Sequence, residues 1–134
     1  MATQADVRKI ALSLPDTREE PGYFAFSVLK SAHSKGAKYK GFVWAWRERI
    51  HPRKPRVPNP GVVAISVANL DAKEILLMAD PVKFFTEPHY DGYPAVLVRL
   101  AEIGRAELRT LLTDGWAVHA PKALLAGLST KKKA

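Results

Sequence analysis

Two stretches of this chain carry side chains dense enough for chemistry. The first is Phe84–Leu100, FFTEPHYDGYPAVLVRL, which sets His89, Tyr90, Asp91 and Tyr93 within five consecutive residues. On a strand, a histidine and an aspartate two apart share a face and can act as a base with its orienting carboxylate. In a turn, the aspartate bonds its own backbone instead. Asp91-Gly92 is a strong turn signal. The turn reading therefore outweighs a catalytic dyad, and no catalytic residue is assigned. His89, Tyr90, Asp91 and Tyr93 are kept as a candidate aromatic and histidine ligand pocket.

The second stretch is Lys30–Arg56. It holds nine Lys/Arg and one acid, Glu48, an excess of eight that equals the formal net charge of the whole protein. The remaining chain balances, with 12 basic and 12 acidic residues. A localised excess of this kind suits an anion-facing surface, and phosphate binding strengthens with the number of cations presented together. Lys35, Lys38 and Lys40 are expected on a hairpin loop. Arg47, Arg49, Arg53, Lys54 and Arg56 follow along the next connection. Tyr39, Trp44 and Trp46 interleave aromatic surface with the charge, a mixture that suits unpaired bases. The alternation Phe42, Trp44, Trp46 argues for the other role, core packing on one shared face, and carries more weight.

Other chemistries find little support. There is no cysteine, which excludes disulfides, thiolate metal sites and cysteine nucleophiles. No Gly-x-Ser-x-Gly elbow occurs, and Ser13, Ser27 and Ser66 fall inside predicted elements. His33, His51, His89 and His119 show neither HxH nor HExxH spacing, although His89 and His119 meet if the last helix packs on the strand entry. Gly36 and Gly41 are too far apart for a phosphate-cradling loop. Asp16, Glu19 and Glu20 make a small acidic cluster read as solvated. No metal and no cofactor is expected.

The elements that must position these residues follow from periodicity. Thr3–Leu14 reads as a helix, with Thr3 and Asp6 as a capping pair and Val7, Ile10, Ala11 and Leu14 as its apolar stripe. Asp16–Gly22 is a polar link. Tyr23–Leu29 and Gly41–Arg47 are strands forming an antiparallel hairpin across a loop of about ten residues, Ser31–Lys40. Glu48–Pro60 contains Pro52, Pro55, Pro58 and Pro60 and predicts an extended basic loop. Val62–Val67 is a third strand. Asp71 is expected to cap a helix over Ala72–Ala79, with Ile75, Leu76 and Met78 toward the core. Val82–Phe85 is short and apolar. Ala95–Leu100 is the clearest strand and reads as central. Arg105–His119 is the longest helix, where Gly115 points to close packing, at a cost of ~1 kcal/mol in helix propensity against Ala.

A chain of 134 residues fits one domain, here residues 1–128, followed by a basic, disordered tail, 129–134. At this size roughly two thirds of the unfolded surface can be buried. No apolar run approaches the ~20 residues needed to span a bilayer, so no membrane partner is expected and a cytoplasmic location follows by default.

The segments ALSLPDTREE (Ala11–Glu20), the first strand with Phe24 and Phe26, DPVKFFTEPHYDGYPAVLVRL (Asp80–Leu100) and ELRTLLTDGWAVHAPKALL (Glu107–Leu125) together resemble the MmcQ/YjbR family. The resemblance covers nearly the whole chain. It implies an α+β fold similar to the CyaY-like fold: an antiparallel β-sheet with helices packed on one face and a double-wing arrangement of loops. It also implies DNA as the partner, and it carries no catalytic motif onto this sequence. The segment Ser31–Pro60 is longer, more basic and richer in proline than in shorter members. The expectation is a non-catalytic DNA-binding protein of weak sequence preference that holds phosphates through residues 30–56. The alternative is a small-ligand or protein-interaction module using residues 84–93.

Overall fold

A capping box opens the fold. The Thr3 hydroxyl accepts from the Asp6 amide at 3.3 Å, and the Asp6 carboxylate accepts from the Thr3 amide at 2.9 Å, so two otherwise orphaned donors are satisfied reciprocally. A computed structural model describes residues 1–33, 36–49 and 51–122. Its elements are α1 (Gln4–Ser13), β1 (Thr17–Glu19), β2 (Ala25–His33), β3 (Gly36–Glu48), β4 (Val57–Ser66), α2 (Leu70–Ala79), β5 (Phe84–Phe85), β6 (Ala95–Arg99) and α3 (Arg105–His119). Short 3-10 turns lie at Pro88–Tyr90 and Leu100–Glu102. The strands form a six-stranded sheet in the order β1-β2-β3-β4-β6-β5, with every neighbouring pair antiparallel. This is the α+β class that the strand and helix patterns predict.

Cross-strand registers divide the sheet into two faces, because paired residues share a side. The rows Phe26–Val43–Ile65–Val96 and Ala45–Val63–Val98–Phe84 lie on one of them. That face packs against Val7, Ile10 and Ala11 of α1, Ala72, Leu76 and Leu77 of α2, and Leu108, Leu112 and Trp116 of α3. The α3 contacts recur every four residues, the spacing of a helix stripe, and all three are fully buried. Each stabilises the fold by roughly 1.5–3 kcal/mol through apolar burial. Gly115 is where α3 touches the sheet: a Cβ there would sit 2.9 Å from the Ser66 carbonyl oxygen and 3.2 Å from Ile65 Cγ2. The row Trp44–Ala64–Leu97–Phe85 lies on the opposite face, with Val62, Ala95, Trp46 and Tyr90. Its cover includes Tyr90 and the segment around it.

Several sequence expectations are corrected here. The Ser31–Lys40 loop is mostly strand: β2 and β3 pair as far as His33 with Gly36, so Lys38 and Lys40 sit on β3. Lys35 lies outside the described residues, as does the tail 129–134. The proline-rich connection is shorter than expected, because β4 already starts at Val57 and Pro58 pairs with Arg47. Proline is tolerated there because β4 pairs with β6 only from Val62 onward, leaving its first residues one open side. Asp16–Gly22 contributes an edge strand, β1, where a plain link is expected. Asn69, not Asp71, caps α2, accepting from the Ala72 amide at 2.8 Å. Ile75 and Met78 are 67% and 74% exposed, while Lys73, two and five residues earlier, is 4% exposed.

The face of the tryptophans is also different. Phe42 joins the helix-side cluster, whereas Trp44 and Trp46 pack on the opposite side. Phe26 pairs with Val43 and Ser27 with Gly41, so Phe42 is the extra residue of a bulge. A bulge shifts the in–out alternation by one, which puts Phe42 and Val43 on the same side and separates Phe42 from Trp44.

Candidate nucleic-acid interface

A cleft of about 540 Å³ opens beside Trp44 and Tyr90, lined by Gly22, Tyr23, Phe24, Trp44, Ala45, Arg47, Arg56, Pro58, His89 and Tyr90. It draws on the link before β2, on β3, on the start of β4 and the residue before it, and on the Pro88–Tyr90 turn. The two candidate sites read from the sequence therefore meet here: Arg47 and Arg56 from the basic stretch, His89 and Tyr90 from the aromatic one.

The floor is rigid. Trp44 Nε1 donates to the Tyr90 hydroxyl at 3.0 Å, and the Trp44 and Tyr93 rings meet edge to face at 6.4 Å. Burial raises the Tyr90 hydroxyl above its ordinary pKa, so it is a neutral acceptor at physiological pH. The loop carrying Tyr90 is held from within. Tyr93 N donates to Tyr90 O at 3.0 Å across a tight turn in which Gly92 has φ +76°, the left-handed region that glycine occupies at least cost. Lys73 Nζ donates to the carbonyl oxygens of Tyr90 and Tyr93 at 2.6 and 3.0 Å. Burial lowers the Lys73 pKa, and the Asp91 charge works against that shift. This buried lysine is absent from the sequence reading; the available signal was a cation three and four residues before Leu76 and Leu77, on the side of α2 that turns inward.

The wall and rim carry the charge. Arg56 is half-buried; its Nη1 donates to Arg47 O at 2.9 Å and pairs with Glu87 at 3.3 Å. Arg47 is exposed and, like Arg53 and Lys54, forms no ion pair among the described residues. Arg49 is engaged in shaping the turn after β3, its Nη1 donating to the carbonyls of Pro52 and Lys54 at 3.2 and 3.0 Å. At the rim, Tyr23 is 64% exposed and the exposed His89 ring stands edge to face on Tyr90 at 5.5 Å. Tyr23 and Phe24 enter the lining unforeseen, placed there because the next residue, Ala25, pairs with Trp44; the Phe24 ring itself packs edge to face on Phe26 at 5.2 Å with the Arg8 guanidinium over it.

The basic stretch does not form a single face. Lys40 pairs with Val28, a residue of the helix-side core, and both Lys30 and Lys40 act on His119 of α3 as like charges. Arg47 and Arg56 line the cleft, at and beyond the other end of β3. Lys38 is exposed near the far end of the hairpin. Tyr39 is occupied by the Arg18 guanidinium, 3.7 Å above its ring centre.

The His89–Asp91 pair does not converge. Asp91 accepts from the Thr86 hydroxyl at 3.4 Å, while His89 leans on Tyr90. His119 lies elsewhere, its Nε2 3.2 Å from Ser66 Oγ. Burial, reinforced by Lys40 and Lys30, lowers its pKa. In the acidic cluster, Glu19 pairs with Arg8 at 2.9 Å and Glu20 with Arg18 at 3.4 Å. Among the described residues no helix is long and apolar enough to cross a membrane.

Compared with known proteins, the chain is 35% identical over 131 residues to "Uncharacterized protein Rv2570" of Mycobacterium tuberculosis strain H37Rv, covering 93% of this chain and 94% of that protein. The same identity and coverage hold for "Uncharacterized protein Mb2600" of Mycobacterium bovis. No family model matches the chain, and no solved structure matches it.

Proposed function

The chain belongs to the family of these mycobacterial proteins, and for it we propose a non-catalytic DNA-binding role that holds phosphates at the β3–β4 end of the sheet. The observation that supports this most is the grouping of Arg47, Arg53 and Lys54, exposed and free of ion pairs among the described residues, beside an aromatic cleft. Unpaired cations are the ones able to release counterions from a phosphate backbone. The resemblance to the MmcQ/YjbR family agrees with the same reading. Sequence preference is weak in this proposal, because the cations invoked lie on a strand and its turn, not on a helix shaped for a major groove. Lys38 and Lys40, on the hairpin, add long-range attraction. The protein acts in the cytoplasm.

The test is affinity for duplex and single-stranded DNA at two salt concentrations. Wild-type protein is expected to bind in the range of non-specific binders, Kd ~10⁻⁴–10⁻⁶ M at physiological salt, and more tightly at low salt. Replacing Arg47, Arg53 and Lys54 with Gln is expected to abolish most of the salt dependence. Undetectable binding at low salt would sink the proposal.

A second reading, a small-ligand module, is favoured by the size of the cleft, which falls within the ~300–1,000 Å³ typical of ligand pockets. Arg53 and Lys54 do not line the cleft. Their removal weakens DNA binding but leaves a small ligand in the cleft untouched.

A further inference from the structure

Resting on the DNA-binding reading, we infer that the cleft takes an unpaired nucleobase, so that the preferred partner is single-stranded nucleic acid or a base extruded from a duplex. Three features carry this. The first is shape and lining. A cleft of about 540 Å³ walled by Tyr23, Trp44, His89 and Tyr90 offers flat aromatic surface, to which any base can stack. A duplex keeps its bases inside its own stack and presents only edges and backbone, which make no use of such walls.

The second is the pairing state of the two arginines. Arg56 is compensated by Glu87 at 3.3 Å and committed through Nη1. It retains N–H donors while much of its net charge is neutralised. That combination suits the neutral acceptor atoms of a base edge more than a phosphate. Arg47, on the same cleft, is exposed and makes no ion pair among the described residues. It is the group suited to the phosphate that follows the base, and Arg53 and Lys54 extend the charged track beyond it.

The third is preorganisation. Trp44 and Tyr90 are fixed by their mutual hydrogen bond, and the Tyr90 loop by Lys73. The floor is therefore set before binding, and ordering it costs little on association. Tyr23, 64% exposed at the rim, is the side chain free to close over an inserted base.

The experiment compares three labelled DNAs by fluorescence anisotropy at low salt: a short single strand, the same strand with its bases replaced by abasic sites, and the matching duplex. The abasic strand keeps every phosphate and removes every base. The normal strand is expected to bind on the order of ten-fold more tightly than the abasic one, the scale of one stacked base. Tyr23→Ala and His89→Ala, both at exposed positions, are expected to bring the normal strand down to the abasic level. Equal affinity for the normal and abasic strands overturns the inference and leaves the phosphate-binding proposal standing. Failure of all three DNAs to bind overturns both.

Discussion

The indole Nε1 of Trp44 donates to the hydroxyl of Tyr90 across 3.0 Å, joining residues 46 apart in sequence. This bond ties the central strand β3 to the loop ahead of β6, and it closes the cleft floor. Removing the hydroxyl by Tyr90→Phe leaves the indole donor unsatisfied in a part-buried site. A loss of about 1–3 kcal/mol is expected. Urea unfolding measures it, and an unchanged midpoint would show that water replaces the bond at no cost.

Lys73 is expected to matter more for the shape of the loop than its position on α2 suggests. Lys73→Met keeps the apolar stem but strips the donor from Tyr90 O and Tyr93 O. The expected cost is again about 1–3 kcal/mol in stability. Faster amide hydrogen exchange confined to residues 88–93 would identify the loop as the part released, and uniform change across the sheet would contradict it.

Salt dependence tests the proposed phosphate contacts one by one. Arg53→Ala and Lys54→Ala are each expected to flatten the plot of log affinity against log salt by about one unit on duplex DNA, and slightly less on a single strand. Arg49→Ala is different. Its guanidinium holds the Pro52 and Lys54 carbonyls, so it is expected to loosen the turn and lower affinity without a clean change in slope.

Gly115→Ala tests the contact between α3 and β4. Its new methyl would meet the Ser66 carbonyl oxygen at 2.9 Å, and backbone cannot swing aside as a flexible side chain can. The helix propensity gained is outweighed, and a net destabilisation of about 1–3 kcal/mol is expected from overpacking. Thermal unfolding measures it. DNA affinity of the folded fraction should be unchanged, since Gly115 lies on the helix side of the sheet.

Acid should weaken the fold through His119. Burial against Ser66, with Lys40 and Lys30 nearby, lowers its pKa below the ordinary 6.5. The unfolded chain therefore binds the proton first as pH falls. Stability attributable to this group is intact above pH ~6.5 and declines as the pH falls through that value toward the lower folded pKa. Denaturant midpoints measured from neutral pH downward should show the decline, and His119→Asn should flatten it. An identical slope in the variant would place the acid sensitivity elsewhere.

Periodicity by itself determined the elements with strong local patterns. The 105–119 helix was legible from Leu108, Leu111, Leu112, Gly115, Trp116 and His119 at helical spacing, and its observed bounds agree. The Thr3–Asp6 capping box, the Asp91-Gly92 turn and the apolar run Ala95–Leu100 were legible for the same reason: each rests on residues within one turn or one strand. The concentration of charge in residues 30–56 was also plain, because composition needs no geometry.

Tertiary structure decided what neighbours along the chain do not encode. One bulge at Phe42 turned Trp44 and Trp46 to the face opposite that expected, since a single inserted residue reverses the alternation of the positions that follow it. Register sent Lys40 to the helix side and left Arg47 at the cleft, so one run of charge became two. Packing buried Lys73 while leaving Ile75 and Met78 in solvent, because two carbonyls of a distant loop could take its hydrogen bonds. The cleft is assembled from residues 22–24, 44, 45, 47, 56, 58, 89 and 90. Its parts are separated in sequence by far more than any local pattern reaches, and only the folded sheet brings them together.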